Sequence, residues 1–196
     1  MSKPTYRAYI RGAKAKDKSQ HMSTKVMDAL MSFLSSLLHR RDNSIVICDT
    51  TVPANMMRQH SRFVKTAVKD RHKLKFLDEV FSSLSAALAN KIYFPFNIDQ
   101  HHWVAELNPT AHMFPYIRKE APGSSSAAPF KPFSVSRCKS IPKCSSPYDS
   151  AVMAVLLIDT HCSAGIEGCK AITLRLLPGA AKQLAVNFFN FISEAD

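Results

Sequence analysis

Two stretches decide the predicted fold of this chain: IYFPFNIDQHHWV at residues 92–104 and SPYDSAVMAVLLI at residues 146–158. The first is rich in β-branched and aromatic residues with a polar break near its end, which predicts neighbouring antiparallel strands with His102 at the start of the second. The second passes from a polar turn into an apolar run, which predicts a helix that begins near Ser150. In this order a histidine base on a strand can meet a nucleophile at a helix N-terminus.

The remaining elements extend outward from these two stretches. The segment STKVMDALMSFLSSLLHRR, residues 23–41, has apolar residues three and four positions apart, which predicts an amphipathic helix with Ser23 or Thr24 as N-cap. Composition and spacing further predict a strand within residues 44–52 and helices at 53–62, 76–89 and 179–194. Helices combined with a few short strands predict an α+β fold.

One domain is predicted, because 196 residues with 46% hydrophobic content suffice for a single buried core. Residues 1–21 mix basic with small polar residues and are expected to form a flexible basic tail, so the domain should cover residues 22–196. Between about residue 108 and residue 147 the composition shifts to Pro, Ser and Ala. That shift predicts a loop or a poorly ordered connection.

The charge balance is strongly basic, since 26 Lys and Arg against 15 Asp and Glu give a formal net charge of +11. Such a charge favours anionic partners, including nucleic acid and acidic protein surfaces. The stretch FVKTAVKDRHKLKF, residues 63–76, interleaves two phenylalanines with basic residues. It can follow a phosphate backbone and stack bases, or it can form a solvated face between helices, which we favour.

Compartment and cofactor use are also constrained by the sequence. No apolar run approaches the ~20 residues that span a bilayer, so we expect no membrane insertion. The start lacks the apolar region of a secretory signal, which favours the nucleus or the cytoplasm. The stretch HCSAGIEGC, residues 161–169, has the wrong spacing for a closed metal site and predicts a helix end and a turn, so no metal or other cofactor is expected. The irregular cysteine spacing favours thiols over disulfides: Cys48, Cys138, Cys144, Cys162 and Cys169.

Three motifs in order carry a family resemblance: STKVMDALMSFL at residues 23–34, IYFPFNIDQHHWV at 92–104 and CSSPYDSAVMAVLL at 144–157. Over roughly residues 22–192 they resemble the ubiquitin-like-protein proteases, papain-like cysteine peptidases that process SUMO-type modifiers, in particular the plant branch associated with transposable elements. The family motifs are a helix such as LNDEVINFY, a strand leading to HWV, and Q-x-x-x-YDCGV. The resemblance implies an α+β papain-like fold with a small mixed sheet and a central helix, and thiol-dependent hydrolysis after the diglycine end of a ubiquitin-like modifier.

The resemblance also assigns roles to individual residues. The histidine base falls on His102, which directly precedes Trp103 on the expected substrate side. The cysteine nucleophile falls on Ser150, and the glutamine that stabilises the oxyanion falls on Cys144. A serine hydroxyl gains little from a site built for a thiolate, and a thiol cannot supply the amide N–H of glutamine. Peptidase activity is therefore expected to be impaired.

The acidic partner of the histidine is missing from its family position. No aspartate occurs between Asp99 and Asp149, and the nearby candidates Glu106, Asn108 and Glu120 do not match the family pattern.

Other interpretations stay open. A catalytically dead protein could still bind a SUMO-like partner, a basic nucleic-acid-binding module could use the tail and residues 65–75, and the chain could be a decayed transposon-derived fragment. Taken singly, His102 suits a structural histidine, Trp103 suits a core and residues 148–150 suit a helix cap.

Overall fold

The computed structural model describes residues 22–39, 42, 44–84, 91–98, 102–104, 108–117, 134, 141, 144 and 146–194. The predicted basic tail, residues 1–21, lies outside them, as does most of the segment from 118 to 145. The described helices are α1 (Thr24–His39), α2 (Thr51–Lys65), α3 (Lys75–Leu84), α4 (Asn108–Ile117), α5 (Pro147–Lys170) and α6 (Leu177–Glu194). The described strands are β1 (Ile45–Ile47), β2 (Lys91–Tyr93), β3 (Phe96–Ile98) and β4 (His102–Val104).

Helix α1 forms where the sequence predicted it. The Ser23 hydroxyl accepts a hydrogen bond from the Val26 amide at 3.3 Å, which satisfies one of the free N–H groups of the first turn. The apolar face is buried along its length through Met27, Leu30, Met31, Phe33, Leu34 and Leu38. In the turn that leads to β1, hydrogen bonds from Ser44 hold the pKa of the Asp42 carboxyl below its usual value.

Helix α2 is longer than the predicted segment because two aspartates support its start. The Asp49 carboxylate accepts hydrogen bonds from the amides of Thr51 and Val52, at 2.9 and 3.3 Å. The Asp28 carboxylate on α1 accepts a hydrogen bond from the Thr50 amide at 2.7 Å and so ties the start of α2 to α1. A 3-10 helix, Val68–Lys73, connects α2 to α3.

The described strands form two separate pairs, where one small mixed sheet was predicted. β1 pairs with β2 in parallel, and β3 pairs with β4 in the predicted antiparallel arrangement, with Asn97 opposite Trp103. The division falls at Pro95, which has no amide hydrogen to donate to a ladder, so the apolar stretch before it ends as β2 and the stretch after it begins β3.

The prediction of a loop from about 108 to 147 is wrong for its first ten residues, which form α4. Met113, Tyr116 and Ile117 lie three and four positions apart and are buried. Burial of this face stabilises the helix although Pro115 lies within it. Composition suggested a loop because the prolines of this segment concealed its helical periodicity.

Helix α5 covers more than the predicted apolar helix and contains the predicted turn as a break. Gly165 has φ 64° and ψ −161°, a backbone conformation that favours glycine, and helical structure resumes after it. Its segment Asp149–Lys170 is long and apolar enough to cross a membrane, judged by length and composition alone, and core helices of soluble proteins meet the same criterion. The expectation of no membrane insertion therefore stays a prediction.

The helices and strands surround two main clusters of buried side chains. The first core cluster joins α2, α3 and α4 with residues around β2 and β3: Cys48, Val52, Met56, Phe63, Leu74, Phe76, Leu77, Val80, Phe94, Phe96, Met113, Tyr116 and Ile117. The second core cluster joins α1, β4 and the first half of α5: Met22, Met27, Leu30, Met31, Phe33, Leu34, Trp103, Ala151, Val155 and Ile158. The described chain is thus α+β, with α5 packed against α1, β4 and α6.

Phe63 provides a test of the first core cluster. The residue is 1% exposed, and its ring centroid lies 5.1 Å from that of Tyr116 in an edge-on contact. The guanidinium carbon of Arg71 lies 4.7 Å from the centroid of the same ring. We expect Phe63→Ala to lower the free energy of unfolding by about 3–5 kcal/mol in chemical denaturation, the usual effect of deleting a buried aromatic ring. The neighbouring Val64→Ala, at a side chain 50% exposed, should change it by less than ~0.5 kcal/mol. Equal losses in the two variants would contradict the described burial.

The packing of α2 on α4 predicts a dependence of stability on pH. The rings of His60 and His112 stack with centroids 6.1 Å apart, and burial, followed by the neighbouring His112, lowers the pKa of His60. Below the ordinary value of about 6.5 the unfolded chain therefore binds a proton that the folded chain resists, so stability falls as the pH drops through the folded pKa. We expect the thermal midpoint to fall between pH 7.5 and pH 5.5, and His60→Gln to reduce that fall. The control His72→Gln, at an exposed histidine, should show the same fall in thermal midpoint as the native chain. An equal fall in the native chain, His60→Gln and His72→Gln would show that His60 is not its cause.

Candidate functional site

The first turn of α5 lies against strand β4. The Ser150 hydroxyl accepts a hydrogen bond from the Trp103 amide, with 3.1 Å between Oγ and N, although 47 positions separate the two residues in the chain. Ser150 is only 3% exposed, so this contact lies inside the protein. The structure therefore brings the two stretches that decided the predicted fold into direct contact.

The start of α5 explains the position of the Ser150 side chain. Ser146 is the N-cap, its hydroxyl accepts a hydrogen bond from the Asp149 amide at 3.4 Å, and Pro147 follows as the first helical residue. The helix thus begins before residues 148–150, which the sequence suggested as its cap. The Ser150 amide already donates to the Ser146 carbonyl at 3.0 Å, so Ser150 lies within the first turn, where the helix dipole presents positive potential.

His102 contributes its backbone to this arrangement. It pairs with Ile98 across the β3–β4 ladder and directly precedes Trp103, whose amide contacts Ser150. The side chain of His102 lies outside the described residues. The strand that carries the predicted base therefore meets the helix turn that carries the predicted nucleophile position.

Trp103 occupies a different environment from the one predicted. Its side chain is 4% exposed within the second core cluster, and its indole N–H donates to the Met22 carbonyl at 3.3 Å. A buried indole whose only N–H donates to the backbone offers neither exposed ring surface nor a free hydrogen-bond donor to a partner. The ring therefore has the core position that Trp103 taken singly suggested, and its substrate-binding role stays a prediction.

Cys144, the predicted oxyanion position, lies two residues before the N-cap of α5. Its thiol is partly buried and donates to the Ser146 carbonyl at 3.4 Å. Burial raises the pKa of this thiol above its usual value, so it stays protonated at neutral pH. A neutral thiol directed at a carbonyl does not stabilise a developing negative charge as an amide N–H does.

The candidates for the missing acid gain no support from the described geometry. Glu106 and Glu120 lie outside the described residues, and so does the side chain of Asn108 at the start of α4. Asp149, in the first turn of α5, is exposed, and its amide is bonded to the N-cap.

A polar cluster that sequence reasoning missed lies between β2 and the second half of α5. The Tyr93 hydroxyl and His161 Nδ1 are 2.7 Å apart. Burial is the main cause that raises the pKa of Tyr93 and of the Cys162 thiol, and burial followed by the charge of Lys91 lowers the pKa of His161. All three groups are therefore neutral at neutral pH, and the cluster holds no activated nucleophile. A separation of 68 positions between Tyr93 and His161 left no signal in the sequence.

The basic stretch of residues 63–76 does not present its aromatic rings to a partner. Phe63 and Phe76 both lie in the first core cluster, which counts against the alternative in which these rings stack bases. The two rings are buried because Phe63 lies on the core-facing side of α2 and Phe76 on the core-facing side of α3, the helices before and after the 3-10 helix.

The cysteines of the described chain are free thiols, and burial raises the pKa of Cys48 to about 12. Within the described ranges no group of three or more His, Cys, Asp or Glu is placed to hold a metal ion.

Comparison with known proteins adds no relative to this picture. No protein-family model, no curated protein and no solved structure matches the chain. The similarity to ubiquitin-like-protein proteases therefore rests on the three sequence motifs alone, and the fold assignment stands at α+β.

Proposed function

We propose that this chain is a degenerate ubiquitin-like-protein protease domain of papain-like fold, with impaired peptide hydrolysis and a SUMO-like modifier as its partner in the nucleus or cytoplasm. The observation that carries the proposal is the contact between the Trp103 amide and the Ser150 hydroxyl. It joins the strand motif HWV to the YDS motif in the first turn of α5. These are the two positions at which a papain-like peptidase holds its histidine and its nucleophile.

Impaired hydrolysis follows from the chemistry of the group at position 150. A thiol in the first helical turn loses its proton readily, because the free N–H groups and the helix dipole stabilise the thiolate. A hydroxyl has a far higher pKa and needs a general base to remove its proton during attack. The buried Ser150 hydroxyl also accepts a backbone hydrogen bond, which occupies part of its lone-pair capacity.

Two further departures from the family pattern reinforce this. Cys144 stands where a glutamine amide would stabilise the oxyanion, and such donors contribute about 10²–10³ in kcat. The aspartate that would orient His102 is absent from its family position. The changes at the nucleophile, oxyanion and acid positions predict a domain that still binds its partner but hydrolyses peptide bonds poorly.

Restoring the nucleophile tests the proposal. The native chain, Ser150→Cys and Ser150→Cys with Cys144→Gln are incubated with a SUMO precursor and with SUMO bearing a C-terminal fluorogenic group. We expect no detectable cleavage by the native chain and measurable cleavage by the double variant, because the variant regains a thiolate nucleophile in the first helical turn and an amide donor for the oxyanion. A SUMO with a C-terminal electrophile should also form a covalent adduct with both Ser150→Cys variants, detected as a mass shift.

Ser163→Cys is the matched control, because Ser163 is an exposed residue of the same helix. It should give neither cleavage nor adduct. Equal labelling of the Ser163→Cys and Ser150→Cys variants would show that the adduct reports only a free thiol. Cleavage by the native chain that persists in Ser150→Ala would mean that hydrolysis occurs elsewhere, and folded Ser150→Cys variants that neither cleave nor form adducts would argue against the family assignment.

A further inference from the structure

The outward face of α2 and the start of the 3-10 helix combine exposed apolar side chains with unpaired positive charge. Met57, Val64 and Val68 are 45%, 50% and 46% exposed. Met57 and Val64 are seven positions apart, which at about 100° per residue places them within ~20° of each other around α2. They form a narrow apolar stripe, and the residues of α2 that belong to the first core cluster, Val52, Met56 and Phe63, lie roughly 100–140° around the helix from Met57.

Basic residues continue the exposed surface of α2 beyond this stripe, on the side away from the core. At about 100° per residue, Arg58, Arg62 and Lys65 lie roughly 80–140° around the helix from Met57, and all three are exposed. Lys69 continues the positive charge into the 3-10 helix. Among the described residues of α2 and the 3-10 helix, the ion pair joins Lys73 to Asp70 at 2.7 Å. Within the described residues, Arg58, Arg62, Lys65 and Lys69 therefore form no ion pair with a carboxylate.

The side chains exposed on this face decide between the classes of anionic partner. Nucleic acid would use the cations for phosphate and aromatic rings for bases, yet Phe63 and Phe76 are buried in the core. Aliphatic side chains beside cations match a polypeptide that presents apolar and acidic residues together. A stripe two helical turns long on a 15-residue helix fits another helix laid alongside it.

We propose that this face of α2 docks an acidic amphipathic helix of a partner protein, with the apolar residues of the partner on Met57, Val64 and Val68 and its carboxylates on Arg58, Arg62, Lys65 and Lys69. The surface is independent of the candidate site: α2 packs on the first core cluster, whereas Ser150 contacts Trp103 of the second. Failure of the SUMO experiments would therefore leave this inference standing, and the reverse also holds.

The test uses a fluorescent 18-residue peptide with leucines three and four positions apart and glutamates along one flank of that face. A scrambled peptide of the same composition, with no amphipathic face, is the peptide control. By fluorescence anisotropy we expect the amphipathic peptide to bind the full chain about tenfold more tightly than the scrambled one. Raising the salt concentration from 50 to 300 mM should weaken its binding, because the exposed charges are screened.

Two double variants separate the contributions of the stripe and the charges. Met57→Ser with Val64→Ser and Arg58→Glu with Arg62→Glu should each weaken binding of the amphipathic peptide by about tenfold or more. Lys182→Glu, at an exposed basic residue on α6, is the matched charge control and should have no effect. All these side chains are exposed, so the variants should keep the thermal midpoint of the native chain.

Two results would overturn the proposal. One is equal binding of the amphipathic and scrambled peptides, together with unchanged binding by the Met57→Ser/Val64→Ser variant. This result would show that the peptides bind through non-specific charge attraction alone. The other is tighter binding of a single-stranded oligonucleotide or of phosphatidylserine vesicles, lost in Arg58→Glu/Arg62→Glu but unaffected by Met57→Ser/Val64→Ser. That outcome would identify phosphate groups as the ligand.

Discussion

The hydrogen bond from the Trp103 amide to the Ser150 hydroxyl joins two of the three elements that form the second core cluster, β4 and α5, which pack there with α1. Strand β4 has three residues and pairs with β3 alone among the described strands. An amide buried without a partner costs about 1–3 kcal/mol, and the hydroxyl from α5 removes that cost. Once this turn is held against β4, Ala151 and Val155 follow on the same side of the helix and pack in the cluster that contains the Trp103 ring.

The same hydrogen bond gives the serine at position 150 a role in the stability of the fold. A hydroxyl is a stronger acceptor than a thiol, so serine holds the Trp103 amide better than the cysteine of the family motif would. Under the proposed function, loss of the nucleophile therefore replaces a reactive group with a structural one. Under the same proposal, the altered site keeps a structural role, because Ser150 satisfies a buried backbone donor.

The sequence predicted those elements whose signal is local. Helix α1 and the antiparallel pair β3–β4 followed from periodicity and composition, whereas the contact of α5 with β4 was expected only from the family resemblance. Helix α4 was missed because the proline-, serine- and alanine-rich composition of the longer segment that it begins indicated a loop, while the burial of Met113 that stabilises it depends on distant residues. The pairing of Tyr93 with His161 is likewise a tertiary effect, which no spacing along the chain could reveal.

The basic stretch shows why composition alone misleads about binding. Its aromatic and cationic residues alternate in the sequence and suggest one mixed surface, but the helical period sends Phe63 and Phe76 inward and leaves Lys65 and Lys69 outside. The ring of Phe63 then supports Arg71, whose guanidinium lies over it and donates to the Thr66 and Val64 carbonyls. That arginine stabilises the connection between α2 and the 3-10 helix. The exposed cations of this region, such as Lys65 and Lys69, lie near exposed aliphatic side chains rather than near exposed aromatic rings. Under the proposed docking, this combination favours an acidic polypeptide over nucleic acid.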